Sequence, residues 1–253
     1  MNTHAGGRAP VVLFDLDDTL MAHREAVALG IAEQVRHHAY DADESLAARR
    51  WHELEERHYA DYLAGALSYE EQRRARAIEF ARAFGEELDD AAATEWFAEY
   101  FERYRGGWAI HDDVEAALDA IDVALPGVRF GIITNGELEL QTSKLVRIAL
   151  DGRIEHVIAS GALGVAKPDR AIFDAALERF ARSGPAVSRA AYVGDRLRTD
   201  AIGAARAGLV GVWIDRHGDI PSHDDDAEAA AIGVVRIRSL AELPGAIVPR
   251  LSA

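Results

Sequence analysis

The sequence predicts a doubly wound, mainly parallel α/β sheet into which an all-helical bundle is inserted just after the first strand. Three observations predict it. Val11-Val12-Leu13-Phe14 is apolar without alternation, the pattern of a strand buried on both faces. From Gly106 onward strand-like and helix-like segments take turns, as crossover connections between parallel strands require. Between these two regions, from about Ala22 to Tyr104, the chain is rich in Ala, Glu, Arg and His, has almost no glycine and has no proline. That composition favours helices.

Taken in order, the first strand runs straight into Asp15-Leu16-Asp17-Asp18-Thr19. The carboxyl end of a parallel strand is where open α/β sheets put their chemistry. Asp15 and Asp17 share the period of an extended chain, so both can face one small volume. In the helical stretch, Ser68-Tyr69-Glu70-Glu71 has the form of a capping box opening a helix to about Phe84, and Asp89 or Asp90 can cap another to about Tyr104. About four helices in a bundle account for the length. Beyond Gly106, strands are expected at 129–134, 156–159, 191–193, 210–214 and 234–237, separated by helices near 113–121, 138–148, 170–180 and 199–207. The acidic stretch 217–230, with Asp224-Asp225-Asp226, is expected to be a solvated loop rather than a cation site. The domains predicted are therefore 11–20 with 106–253 for the sheet, 21–105 for the helical insertion and 1–10 as a flexible N-terminus.

Composition limits the function classes. At 253 residues, 49% apolar and 28% charged, the chain has ordinary globular composition. A net charge of -15 argues against a nucleic-acid or anionic-membrane surface, which would need clustered Lys and Arg. With no cysteine there is no disulfide and no thiolate metal site, which suits a reducing cytoplasm. Neither a secretory signal nor a membrane span is apparent, so a cytoplasmic protein is expected.

Three later segments add to the aspartate pair. Strand 129–134 ends in Thr134-Asn135-Gly136, short polar donors and a permissive backbone suited to a tetrahedral anion. Lys167, in Gly164-Val165-Ala166-Lys167-Pro168-Asp169, lies on a loop just ahead of a helix, a placement that suits a phosphate contact. Strand 191–193 runs into Gly194-Asp195, with Asp200 five residues on. Each segment alone reads as a turn, a solvated lysine or a helix-cap aspartate. Together they gather carboxylates, an ammonium and polar donors at one sheet edge, the set that phosphoryl transfer through an aspartyl intermediate needs, with Mg²⁺ as the all-oxygen cation.

These four motifs, in this order, resemble those of the haloacid dehalogenase-like (HAD) hydrolase superfamily, whose Rossmann-like core and inserted helical cap match the organisation above. The resemblance covers 11–20 and about 106–242; the cap matches only in position and helical character. It implies that Asp15 attacks phosphorus, that Asp17 protonates the leaving alcohol and then activates water, and that Lys167 neutralises charge. It further implies that Thr134 and the amide of Asn135 bind the phosphoryl oxygens, and that Mg²⁺ is held by Asp15, the carbonyl of Asp17 and Asp195. Asp200 binds through water or steadies Lys167. The implied activity is that of a Mg-dependent phosphomonoesterase acting on a small phosphorylated metabolite such as a nucleotide, sugar phosphate or phosphoglycolate, as a monomer or homodimer without nucleic-acid or membrane partners. A phosphomutase is the alternative. A 2-haloacid dehalogenase ranks lower because Asp17 is present, and a catalytically idle binding protein lower still because every motif position is filled. The cap contains no lysine, which argues strongly against a Schiff-base phosphonate cleaver. Cap candidates for specificity are His23, Tyr59, Tyr62, Tyr69, Arg73 and Arg76.

Overall fold

A computed structural model describes residues 7–252. Six strands, β1 (Arg8–Phe14), β2 (Arg129–Thr134), β3 (His156–Ala159), β4 (Ala186–Gly194), β5 (Val210–Ile214) and β6 (Val235–Ile237), form one sheet in the order β3-β2-β1-β4-β5-β6. Every neighbouring pair is parallel. The order reverses at β1, so the crevice beyond the ends of β1 and its neighbours is the topological switch point of a doubly wound sheet. Among the described residues eleven α-helices accompany the strands: α1 (His23–His37), α2 (Glu44–Leu63), α3 (Tyr69–Ala83), α4 (Asp90–Gly106), α5 (Val114–Ala124), α6 (Leu138–Arg147), α7 (Ser160–Leu163), α8 (Arg170–Ser183), α9 (Gly203–Arg206), α10 (His223–Ala231) and α11 (Leu243–Leu251).

The chain divides into two compact units, one made of the chain up to Ala22 and from Ile110 onward, the other of His23–Ala109. In the sheet unit, Val11, Leu13, Ile133 and Tyr192 share one face with Ile172, Phe173, Ala176 and Phe180 of α8. Val12, Phe14, Phe130 and Ile132 are buried on the alternate positions, and α11 packs on β4 and α5. Two buried faces explain the unbroken apolar run at 11–14, and each fully buried side chain of this size contributes about 1.5–3 kcal/mol. Gly131 sits mid-strand because a Cβ there would lie 2.7 Å from the Phe180 ring. In the helical unit, Trp51 of α2 is buried against α3 and α4, its ring 4.5 Å from that of Tyr100 and 5.4 Å from those of Phe80 and Trp96. Ser68 and Glu71 form the reciprocal capping box of α3, and Asp89 caps α4.

Several expectations are corrected. β1 begins at Arg8, within the ten residues expected to be flexible; residues 1–6 lie outside the described residues. β4 starts five residues earlier than expected, at Ala186, pairing with the start of β1. The helix expected at 199–207 is a π-helical turn, Leu197–Ile202, followed by the short α9. The acidic stretch is not all loop. Ser222 accepts from the Asp225 amide and starts α10, whose first turn holds Asp224, Asp225 and Asp226, where carboxylates favour the helix dipole. Arg198 pairs with Asp225, and Arg206 with Glu228.

Candidate active site

β1 and β4 are neighbours in register, Phe14 beside Val193, so their ends deliver Asp15 and Gly194-Asp195 to the same rim. The Asp15 amide continues the ladder by donating to the Val193 carbonyl at 2.8 Å. The chain then reverses: Asp18 takes a left-handed φ of 57°, tolerated by aspartate, and its amide donates to the Met21 carbonyl at 2.8 Å. β2, on the other side of β1, brings the buried Thr134 and then Asn135. The Asn135 side chain fastens the Lys167 loop, donating to the Lys167 carbonyl at 2.9 Å and accepting from its amide at 2.7 Å.

Lys167 is the hub. Its Nζ donates to Asp15 Oδ1 at 2.6 Å, Asp200 Oδ1 at 2.8 Å and the Tyr192 hydroxyl at 2.7 Å. Tyr192 in turn donates to the Ile133 carbonyl at 2.9 Å. Three acceptors satisfy all three ammonium protons of a side chain that is almost wholly buried. Burial alone would pull its pKa down, but Asp15 and Asp200 outweigh it and hold the ammonium above its ordinary value. Asp200 is fixed a second time by accepting from the Arg196 amide at 2.9 Å. Gly194 makes room for it, since a Cβ on Gly194 would lie 2.4 Å from the Asp200 carboxylate.

Oxygens of Asp15, Asp195 and Asp200 lie within 4.8 Å of one another. Burial pushes the Asp15 carboxyl up to about 6 despite Lys167, with Asp200 and Asp17 adding to the rise. Burial, then the negative charges of Asp200, Asp15 and Asp18, drives Asp195 well above the carboxylate range. Ionising all three carboxylates against one ammonium would leave two negative charges uncompensated, which is why the protons of Asp15 and Asp195 are held so firmly here, and a set made only of oxygen suits a hard divalent cation. The residues present therefore fit a magnesium-type ion.

Asp17 faces a second lysine that the sequence reading missed. Lys144 Nζ, on α6, lies 2.7 Å from both carboxylate oxygens of Asp17, and Gln141 Nε2 lies 3.4 Å from one of them. Lys144 and Gln141 are 3% and 4% exposed, whereas a helical lysine usually faces solvent. The available signal was their spacing, for 141, 144 and 145 share the buried stripe of α6. Gly136 serves this arrangement, since a Cβ on it would lie 2.6 Å from Gln141 Nε2. Two further supports were also missed. The Tyr192 hydroxyl is one; Arg216 is the other, donating to Asp113 at 2.9 and 3.0 Å and to the Thr19 carbonyl at 2.9 Å, which ties down the loop after β1.

The cap candidates fall into two groups within the helical unit. His23 lies 2.8 Å from the Tyr104 hydroxyl and 3.4 Å from Glu55, and Arg76 donates to Glu55 at 2.6 Å. Burial would push the Glu55 carboxyl up, but Arg76 and His23 hold it below the ordinary range. Arg73 lies 4.0 Å over the Tyr69 ring and donates to its hydroxyl, and Tyr62 lies 5.7 Å from both Tyr59 and Tyr69.

A family model described as haloacid dehalogenase-like hydrolase matches residues 9–208. A phosphoserine phosphatase from Thermus thermophilus is 34% identical over 165 residues, 64% of each chain, so this chain spans under two thirds of that relative's length. A ribulose-1,5-bisphosphate 5-phosphatase from Halopiger xanaduensis is 29% identical over 88% of this chain and 90% of its own. Among solved structures, the HAD-hydrolase YfnB from Bacillus subtilis, solved bound to magnesium, superposes with a TM-score of 0.75 at 21% identity, covering 95% of this chain and 99% of its own.

Proposed function

The chain belongs to the haloacid dehalogenase-like hydrolase family, and on that premise we propose that it is a phosphomonoesterase acting on a small phosphorylated metabolite through an aspartyl-phosphate, with Mg²⁺ as cofactor. The observation that carries the proposal is the Lys167 ammonium, buried between Asp15 and Asp200 at 2.6 and 2.8 Å, with Asp195 closing the carboxylate cluster. The names of the two relatives, both phosphatases, support the same reaction class. The sheet unit is then the catalytic core and the four-helix unit the family's cap.

In this reading the phosphoryl group is bound by Thr134 and the Asn135 amide. Asp15 attacks phosphorus, forming a P–O bond to its carboxylate as the P–O bond to the leaving alcohol breaks, and Asp17 gives that alcohol a proton. Water then attacks the phosphoryl group, Asp17 takes its proton, the bond to Asp15 breaks and phosphate leaves. Lys167 neutralises charge on Asp15 and the phosphoryl oxygens and, pinned by Tyr192 and Asp200, does so without reorganising. Asp15, Asp195 and the Asp17 carbonyl would hold the ion, with Asp200 beyond them. Bound there, it supplies positive charge to oppose the repulsion between carboxylates and phosphate.

The test is phosphate release from a panel of phosphorylated metabolites, with and without Mg²⁺, by wild type and Asp15→Asn. Wild type should depend on the metal and Asp15→Asn should lose at least about 1,000-fold in kcat/KM while keeping its circular dichroism. Equal turnover by the two proteins would sink the proposal.

A further inference from the structure

We propose that Lys144 is a positioning residue for the reaction above: it fixes where the Asp17 carboxylate points, and so controls how well Asp17 serves the leaving group. This inference rests on the phosphatase reading and assigns a new residue to that same site.

The geometry is that of a built contact rather than a chance surface pair. Lys144 is 3% exposed and lies 127 positions from Asp17 in sequence, yet its ammonium meets both carboxylate oxygens at 2.7 Å. Burying an ammonium is costly unless it is paired with good geometry, so an exposed helical lysine would be the cheaper choice if α6 needed only packing. Gln141, one helical turn earlier and also buried, approaches the same carboxylate at 3.4 Å, in space that Gly136 leaves open. Two polar side chains on the buried stripe of α6 thus converge on one carboxylate.

That carboxylate stands beside a negative neighbour. Lys167 occupies Asp15 and Asp200, and Asp17 lies close enough to add to the negative field on Asp15. With 28% of its side chain exposed, an unanchored Asp17 is free to turn away from that negative cluster into solvent. Symmetric contact of Lys144 with both oxygens fixes it against α6 instead. General acid and base catalysis contributes about 10²–10⁴-fold and depends on placement, so an anchor of the proton carrier is an anchor of rate.

The experiment compares kcat/KM, which reports steps up to the first phosphoryl transfer, for 4-nitrophenyl phosphate and an alkyl phosphate. The aryl oxide leaves without help, whereas the alkoxide needs the Asp17 proton. Lys144→Met should lose at least about tenfold more on the alkyl ester than on the aryl ester, and Lys144→Arg, whose fork can also span a carboxylate, should recover most of that difference. In an Asp17→Asn background, Lys144→Met should cost nothing further on the ester difference, because the proposed role of Lys144 runs through Asp17. Equal losses on both esters, or full additivity with Asp17→Asn, overturn the inference. If Lys144→Met does not fold, Lys144→Gln, which keeps a polar end of similar length but removes the charge, carries the same ester comparison. A wild type inert toward both esters instead refutes the phosphatase reading, and the role of Lys144 falls with it.

Discussion

Replacing Gly194 by alanine tests the site through a single methyl group. Gly194 has no unusual backbone angle, so alanine is acceptable to the main chain there. Its Cβ, however, would sit 2.4 Å from Asp200 Cγ and Oδ2 and 2.5 Å from Asp200 Cβ. Ordinary contact would need Asp200 to withdraw by about 1 Å. Asp200 is 1% exposed and held at 2.8 Å by Lys167 and 2.9 Å by the Arg196 amide, so a shift of that size stretches both bonds beyond useful length. Hydrogen bonds involving charge contribute about 1.5–3 kcal/mol each and overpacking costs about 1–3 kcal/mol, so partial relaxation leaves an expected loss of about 2–4 kcal/mol. Since Lys167 is displaced with Asp200, kcat/KM toward a phosphomonoester should fall about 100-fold. Urea denaturation and steady-state kinetics of Gly194→Ala measure the two effects. Stability within about 0.5 kcal/mol of wild type together with full activity would refute the packing described around Asp200.

Two further outcomes are expected. Asp113 is held down to about 2: burial opposes this, but the bonds from Arg216, Ser239 and the Leu240 amide prevail. A depressed carboxyl adds stability above its ordinary pKa near 4 and loses it as pH falls toward 2; with allowance for its partial exposure the contribution is about 1–2 kcal/mol. The stability gap between wild type and Asp113→Asn should therefore narrow between pH 5 and pH 2, by about that amount, in denaturant titrations; a gap that does not change with pH would show that the clasp carries no charge-dependent stability. In the helical unit, a Cβ on Gly30 would lie 2.9 Å from the Tyr104 amide nitrogen, so Gly30→Val should lower stability by about 2 kcal/mol or more through separation of α1 and α4, and an unshifted melting temperature would contradict that close crossing.

Sequence patterns carried the sheet and the four motifs because both are written locally. Strands 129–134, 156–159 and 210–214 match the structure residue for residue and the run at 11–14 ends where β1 ends, since short apolar β-branched runs between turns mark parallel strands, most of all those buried on both faces. Asp15, Lys167, Asp195 and Asp200 were found because each follows a strand or opens a helix at a rim that topology dictates. Lys144, Tyr192 and Arg216 were not. Each reads locally as what its element usually carries, a helical lysine, a strand aromatic and a loop arginine, and only partners 25 to 197 positions away turn them into site supports. The same applies to α10, whose start depends on Ser222 rather than on the acidic run that drew attention. The π-helical turn was equally hidden; Gly211 of β5 packs against it so closely that a Cβ there would come within 2.2 Å of the Ala201 carbonyl.

The strand-end loop after β1 also decides how the chain can change. Met21 bridges Ile110, and the His111 amide donates to the Leu20 carbonyl at 3.0 Å, so the backbone leaves the sheet unit and rejoins it at hydrogen-bonded neighbours. Everything between those two points is, for the sheet, one closed excursion whose length costs it little, because closure entropy grows only slowly with contour. A splice at this junction can exchange one helical module for another of quite different size, and the six strands with their aspartates need not register the swap.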